Sequence, residues 1–234
     1  MTRSTEPMTG LHHVTAISGP AQANVDFFTR LMDQRLVKKT VNFDDPGTYH
    51  LYYGNRTADP GTILTFFPFA GAAQGRPGPG MASAYGYAVG DAVMDDWLAN
   101  ARDRGAQVSG VTERFGQRVA RIADPDGASV ELIGTPGDHG PAEGGFHGVT
   151  LWLDDLGPTR DLLVDRMGYE EAGHETGDGA ERLRLCARRA TRVARRWTST
   201  AATAPDAASL ARARCITWRS APPTMRSSWI GENG

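Results

Sequence analysis

The chain has 234 residues, a formal net charge of −2 and a hydrophobic content of 40%. This length predicts one large domain or two small ones, and the hydrophobic content is enough for a sizeable core. The small net charge argues against a nucleic-acid partner or an anionic membrane surface. No apolar run approaches the ~18 residues of a transmembrane helix. Residues 1–9 are polar, lack the apolar core of a signal peptide and are expected to be disordered. We therefore expect a cytoplasmic protein.

The first predicted element is a strand that carries two adjacent histidines within Gly10–Ile17, GLHHVTAI. Apolar and β-branched residues flank the pair, and a Ser-Gly-Pro turn ends the strand. Because neighbouring side chains on a strand point to opposite faces, we expect His12 and His13 to serve different environments. A histidine followed two residues later by Thr15 suits a metal ligand beside a hydroxyl that contacts substrate. Two half-buried, hydrogen-bonded histidines would explain the pattern equally well.

Patterns of apolar residues and turns then predict a βαβββ order that is repeated. The first copy continues with a helix from Pro20 to near residue 33 and strands over 35–43, 48–54 and 61–67. After a Gly- and Pro-rich loop, the second copy has a strand over 84–89, a helix over 93–104 and strands over 107–111, 117–123 and 128–133. The turn Asp124-Pro125-Asp126-Gly127 predicts a hairpin between the last two strands.

A third copy begins after a linker predicted at residues 135–144. Its opening, Gly145–Thr150 (GFHGVT), echoes GLHHVT, and a helix over 156–167 and a strand over 169–175 follow. The repeat of roughly 65–75 residues predicts an α+β fold of βαβββ units: two complete, a third incomplete and a fourth missing. We expect residues 10–134 to form a first domain of two units, with curved sheets around a cavity, and residues 145–185 to form the third unit.

These segments resemble the vicinal-oxygen-chelate superfamily, which includes glyoxalase I, bleomycin-resistance proteins and extradiol dioxygenases. The resemblance is strongest to hydroquinone-type ring-cleaving dioxygenases and runs from about residue 11 to residue 185. It is carried by the segments LHHVTAISG, VDFFTRLMDQRLVKKTVNFDDP, YHLYYGN, PGTILTFFPF and RFGQRVARIADPDGASVEL. The first two are specific to those dioxygenases, whereas the DPDG…VEL hairpin occurs throughout the superfamily.

The resemblance implies an enzyme that cleaves a hydroquinone- or catechol-like ring with O2 at one Fe(II), or sometimes Mn(II). In that family two histidines and one glutamate hold the metal and leave positions open on it. Carried over to this sequence, the family pattern implies that His13 is the first metal ligand, that Thr15 contacts the substrate and that His12 is structural. The second histidine and the glutamate come from the fourth unit, where this sequence departs from the family pattern. No further catalytic residue is assigned, and self-association is left open.

Two other functions remain open at this stage. In glyoxalase-type members, a glutamate at the place of Glu131 binds metal, so His13 and Glu131 could serve a glyoxalase-like isomerase or lyase. A metal-free binding module of the bleomycin-resistance type is the other alternative. Among the remaining histidines, His147 aligns with His12 and is expected to be structural. His50 alternates with aromatic residues and either lines a pocket or is a satisfied strand histidine.

The composition changes after residue 185. Residues 186–234 contain many arginines, no lysine and only two acidic residues. A basic disordered tail, a family-specific extension and a frameshift product are three interpretations. Shifting the reading frame by one base, with GC-rich codons, turns the segment that begins CITWRS into one that begins near VHHVAF, another His-His strand start. This favours a frameshift near codons 183–188.

The frameshift interpretation has a functional consequence. The printed chain would keep His13 but lack the family's second histidine and its glutamate. We therefore expect an aberrant, disordered segment over 186–234, no useful binding of iron and no dioxygenase activity in this form.

Overall fold

The first unit is a four-stranded sheet with one helix. The computed structural model describes residues 10–73, 75–177 and 180–187, together with the backbone of residues 215–220. β1 (His13–Ser18) leads into α1 (Ala21–Asp26), which continues as a π-helical turn over Phe27–Leu31. Strands β2 (Arg35–Val41), β3 (Tyr49–Gly54) and β4 (Ile63–Pro68) follow. The strand order is β1-β4-β3-β2, with β1 parallel to β4 and at the edge of its sheet.

The apolar stripe predicted for the first helix packs against this sheet. Phe28 and Met32 are fully buried. The Phe28 ring lies 5.1 Å from the Tyr53 ring and 5.0 Å from the Phe66 ring, so helix and sheet share one aromatic core. A buried hydrogen bond of 2.8 Å from the Tyr53 hydroxyl to Asn24 Oδ1 adds a directional contact between β3 and the helix.

The second unit repeats the order with β5 (Met81–Gly90), α2 (Met94–Asp103), β6 (Thr112–Arg114), β7 (Gln117–Ala123) and β8 (Ser129–Thr135). The prediction of a strand over 107–111 was wrong. That segment makes one isolated bridge, Val108 to Ile122, and the strand forms later, at β6. The Ser109 side chain explains this difference, because its Oγ accepts the backbone N–H of Arg121 and takes a donor away from a regular ladder.

The third unit comprises β9 (Phe146–Leu153), α4 (Gly157–Asp161) with a π-helical turn over Leu162–Arg166, β10 (Tyr169–Gly177), β11 (Ala180–Ala187) and β12 (Cys215–Ser220). A short helix α3 (Pro141–Gly144) lies in the predicted linker. The strand order β10-β11-β12-β9 matches that of the first unit. β12 pairs with β11 on one side and with β9 on the other.

The order of these strands corrects the expectation of an incomplete third unit. β12 lies within the predicted aberrant segment and occupies the fourth strand position, because the facing backbone groups of β9 and β11 need partners. Residues 188–214 and 221–234 of that segment lie outside the described residues, as do residues 1–9.

Hydrogen bonding and core packing join the units in different ways. β5 pairs antiparallel with β9, so the second and third units form one eight-stranded sheet, while the first sheet stands apart. One buried cluster nevertheless contains Phe28 and Phe66 of the first unit and Tyr87 and Leu132 of the second. The first two units, grouped as a domain from the sequence, therefore share a core but not a sheet. Among the described residues, no helix is long and apolar enough to span a bilayer.

Candidate functional site

β1 separates a core face from an exposed face. Val14 and Ala16 pack against the shared core, whereas the alternate residues His13, Thr15 and Ile17 are exposed, with Ile17 68% exposed. The period-2 geometry of a strand therefore puts His13 and Thr15 on the same face.

The neighbouring strand β4 places side chains beside them on the same face, where Thr65 is buried and Ile63 and Phe67 are half-buried. His13 lies opposite Ile63, Thr15 opposite Thr65, and Ile17 opposite Phe67. The Thr65 hydroxyl donates a hydrogen bond of 2.9 Å to Thr15 Oγ1. Because Thr15 accepts this bond, its own O–H remains available to donate to a bound group.

An aromatic wall continues the exposed face onto β3. The ring of His50 lies 4.1 Å from the ring of Tyr52 and 4.0 Å from that of Phe67, and the Tyr52 hydroxyl is 2.9 Å from His50 Nδ1. Lys38 Nζ is 5.5 Å from the centre of the Tyr52 ring. Burial, the charge of Lys38 and His13 lower the pKa of His50, so its imidazole is neutral at pH 7. Alternation within the segment YHLYY was the sequence signal for this wall.

The two adjacent histidines contact each other, contrary to the expectation of separate environments. Nδ1 of His12 is 3.1 Å from Nδ1 of His13, and the rings meet edge to face. β1 begins only at His13, so the strand rule does not apply to His12. Since Nδ1 of His13 faces this neighbour, Nε2 is its nitrogen free to meet a ligand or a metal.

Glu131 lies on the eight-stranded sheet and is 3% exposed. Its Oε2 is 2.8 Å from Arg114 Nη2 and its Oε1 is 3.1 Å from Arg121 Nε. The Thr150 hydroxyl donates to Oε2 at 3.3 Å. Burial acts to raise the pKa of Glu131, but the two arginines outweigh it and hold that pKa below its ordinary value. The carboxylate is therefore ionised and bound on both oxygens.

The structure does not bring His13 and Glu131 together. The neighbours of Glu131 along β8, Val130 and Leu132, belong to the same buried cluster as Val14 does. His13 and Glu131 each point away from that cluster, from different sheets. Within the described residues, no three histidine, cysteine, aspartate or glutamate side chains are grouped as they would be around a metal ion. A metal-ligand role for Glu131 stays a prediction that would require its arginines to release it.

His147 is half-buried near Glu131. Burial and the charges of Arg184 and Arg114 outweigh the opposing effect of Glu131 and lower the pKa of His147 to about 4. Sequence reasoning did not single out these arginines. The available signal was polar residues alternating with apolar ones in ERLRLCA and in the segment around RFGQRVAR, which is unusual for strands that face a covered interior.

Comparison with known proteins defines the class. Residues 10–132 match the model of the Glyoxalase/Bleomycin resistance protein/Dioxygenase superfamily, and this chain belongs to that superfamily. The match spans the first two units, and the four-stranded sheet with β1 parallel to β4 is one complete βαβββ copy of the predicted repeat.

Individual relatives give a more specific comparison than the family model does. The chain is 42% identical over 177 residues to a Bacillus subtilis (strain 168) protein named "Putative ring-cleaving dioxygenase MhqO", covering 71% of this chain and 56% of that protein. It is 40% identical over 131 residues to the chlorohydroquinone/hydroquinone 1,2-dioxygenase of Sphingobium indicum, covering 55% of this chain and 41% of that enzyme. The crystal structure of a "putative dioxygenase" from Bacillus subtilis superposes with a TM-score of 0.75 at 34% identity, covering 97% of this chain and 66% of that one. The chain thus matches between two fifths and two thirds of the length of these relatives.

Proposed function

We propose that the exposed face of the first sheet forms part of the active site of a ring-cleaving dioxygenase for hydroquinone- or catechol-like aromatics. The observation that carries this proposal is the grouping of His13, Thr15 and the aromatic wall on one face. The names of the relatives support it, since one of them is named for hydroquinone and chlorohydroquinone.

The residues on this face suit a phenolic ring. The free O–H of Thr15 donates to a ring oxygen, and the wall of His50, Tyr52 and Phe67 offers an apolar surface for offset stacking. The positive charge of Lys38 favours an ionised ring hydroxyl, because an opposite charge nearby lowers the pKa of an acid.

In the ring-cleaving dioxygenases that this chain resembles, the metal would be Fe(II) or Mn(II), and when bound it would supply electron transfer between substrate and O2. His13 would hold it through Nε2, but the described residues contain no group of three histidine, cysteine, aspartate or glutamate side chains around it. The residues present therefore do not complete the two-histidine, one-glutamate site of those dioxygenases. The remaining ligands belong to a fourth unit in the interpretation of the sequence, so we expect the printed chain to lack ring-cleaving activity.

Ligand binding tests the role of this face. Hydroquinone is titrated anaerobically into the full chain and followed by intrinsic fluorescence. Thr15→Val should weaken binding about tenfold, as expected for a lost hydrogen bond. Thr112→Val, on the edge strand of the other sheet, should leave it unchanged. Equal affinity in the wild type and Thr15→Val would contradict the substrate-binding role.

Resequencing the gene across codons 180–234 and beyond tests the proposed loss of activity. A restored base should yield a longer protein with a second His-His strand, and that protein should cleave hydroquinone with Fe(II) in a His13-dependent manner. Fe(II)-dependent ring cleavage by the 234-residue form would refute the proposed inactivity.

A metal-free binding module is the second candidate, favoured because no group of three potential metal ligands is found among the described residues, whereas the aromatic wall is present. Titration with Fe(II) separates it from the first. If His13→Ala changes neither iron uptake nor hydroquinone binding, the binding module is the better description. A glyoxalase-like activity would require Glu131 as a ligand, and it would first require Arg114 and Arg121 to release the Glu131 carboxylate.

A further inference from the structure

The two sheets have four edge strands in the part of the chain that the structure describes, and β1 alone among them has no protection against pairing. Proteins protect open edges by shortness, by charged side chains or by a bulge. β2 carries Lys38 and Lys39 and a register shift, β10 carries three glutamates and a register shift, and β6 has three residues. β1 has six residues (HVTAIS), without lysine, arginine, aspartate, glutamate or proline, and a continuous register with β4. The free edge of β1 is therefore suited to accept another strand.

The backbone groups at this free edge are those of His13, Thr15 and Ile17. On the other side of β1, the carbonyl oxygens of His12 and Ser18 accept hydrogen bonds of 2.8 and 2.7 Å from residues that flank β4. Because the backbone groups of a strand alternate between its two sides, the even-numbered residues of β1 bond to β4 and the odd-numbered ones face away from it. Three residues thus offer both an N–H and a C=O to an added strand.

The pairing of the other two units shows how first strands meet in this chain. β5 and β9 are the first strands of their units, and each is parallel to the last strand of its unit, as β1 is to β4. β5 and β9 pair with each other antiparallel, and their central pairs are Ala84 with Thr150, Tyr85 with Val149 and Gly86 with Gly148. Within the described strands, β1 is the first strand that has no such partner.

Matching the repeats transfers this register to β1. The motifs GLHHVT and GFHGVT align β1 with β9 residue for residue. The residue that faces Thr15 on β4 and the residue that faces Gly86 on β8 each lie four positions after a turn glycine, so Thr15 corresponds to Gly86 and Val14 to Tyr85. Tyr85 faces the residue of β9 that corresponds to Val14. The equivalent register for β1 therefore sets Val14 opposite Val14 of another β1.

We propose that β1 pairs antiparallel with β1 of a second copy of this chain, with the two Val14 residues facing each other on a two-fold axis. His13 of each copy then faces Thr15 of the other. The backbone groups of both residues point to the shared edge, as a hydrogen-bonded antiparallel pair requires. Identical strands are self-complementary in this arrangement, and the two-fold axis closes the assembly at a dimer. The two first sheets become one eight-stranded sheet.

The dimer joins the candidate functional faces of the two copies. Directly opposite residues of an antiparallel pair have Cβ atoms roughly 4.5–5.5 Å apart, so the His13 ring of one copy lies beside the Thr15 hydroxyl of the other. Each candidate site then contains residues from both copies. The pairing does not rest on the proposed dioxygenase function, because backbone groups of β1 make the contact. A chain that fails to bind hydroquinone would still dimerise.

Sedimentation of the full chain over a range of concentrations tests the dimer, and cross-linking of a cysteine variant tests its register. The two Val14 residues would form a non-hydrogen-bonded pair with Cα atoms about 4.5 Å apart, a distance that a disulfide can bridge. Val14→Cys should therefore give a covalent dimer on mild oxidation. Val41→Cys, on the lysine-bearing edge strand β2, should not, and neither should the wild type.

Thr15→Pro tests the backbone contact itself. Proline removes an N–H that faces the free edge and is not needed for pairing with β4, so the dissociation constant of the dimer should rise about tenfold or more. Thr15→Val keeps this N–H while losing the same hydroxyl, and it should dimerise like the wild type. Circular dichroism checks that both variants fold, and the Val14→Cys cross-link decides the question if Thr15→Pro does not.

Two results would overturn the proposal. A chain that sediments as a monomer at every concentration would leave the edge of β1 without a second copy. A dimer that Thr15→Pro does not weaken and that Val14→Cys does not cross-link would have its interface elsewhere on the molecule.

Discussion

Replacing Glu131 by glutamine tests the buried ion pair between this residue and Arg114. The substitution preserves volume and removes one negative charge from a side chain that is 3% exposed. Arg114, itself only 8% exposed, would lose the charge that compensates its guanidinium. Breaking a buried ion pair from one side costs about 3–5 kcal/mol. We expect Glu131→Gln to lower the free energy of unfolding by that amount at pH 7.

The same pair sets a pH dependence with a defined sign. The pKa of Glu131 is lowered in the folded state relative to its ordinary value of 4.5. Its stabilising contribution is therefore fully present above that ordinary value and is lost as the pH falls through the lowered pKa. The difference in stability between the wild type and Glu131→Gln should be greatest near neutral pH and should narrow below about pH 4.5.

Urea unfolding followed by circular dichroism measures both effects. Glu113→Gln is the matched control, because Glu113 is an exposed glutamate on β6, next to Arg114 in sequence, and it should change stability by no more than about 0.5 kcal/mol. A Glu131→Gln variant as stable as this control would refute the ion-pair reasoning. A stability difference that widens on acidification would refute the sign of the pKa shift.

Three further substitutions probe the core by urea unfolding. Phe28→Ala empties a fully buried site and should cost about 3–5 kcal/mol; a loss below 1 kcal/mol would mean that Phe28 is not in the core. Tyr53→Phe removes the hydroxyl bound to Asn24 and should cost about 1–3 kcal/mol, so an unchanged midpoint would contradict that bond. A Cβ on Gly144 would lie 1.9 Å from a carbonyl oxygen of β5; Gly144→Ala should cost about 1–3 kcal/mol, whereas Gly110→Ala, which has open space, should not. Equal losses in these two glycine variants would refute the packing argument.

Local patterns predicted most of the elements in the first two units. Turn residues and apolar spacing placed the first helix, the hairpin at Asp124 and the strand Gln117–Ala123 where the structure has them. The two failures have physical causes that a sequence pattern does not show. The strand expected over 107–111 gave way because the Ser109 side chain competes for a backbone donor. β12 was missed because composition and the frameshift interpretation assign its segment to a disordered tail, whereas in the structure it pairs with two other strands.

The candidate site, like the fold, was predictable from the sequence only in part. Strand alternation was enough to put His13 and Thr15 on one face, and the segment YHLYY contained the signal for the aromatic wall. The sequence could not show that Glu131 lies across the core from His13, because both residues follow the same alternation within their own sheets. Only the packing of one sheet against the other separates them.

The sequence by itself determined the repeated βαβββ units, because periodicity and turn chemistry are local properties of the chain. The tertiary structure alone decided which units pair. The second unit joins the third through β5 and β9, and the first sheet keeps β1 at its edge, with His13 exposed. Edge pairing depends on which strand edges meet in three dimensions, and repeats with similar patterns do not encode that choice. The same pairing brings Arg114 and Arg184, 70 residues apart in sequence, close to His147.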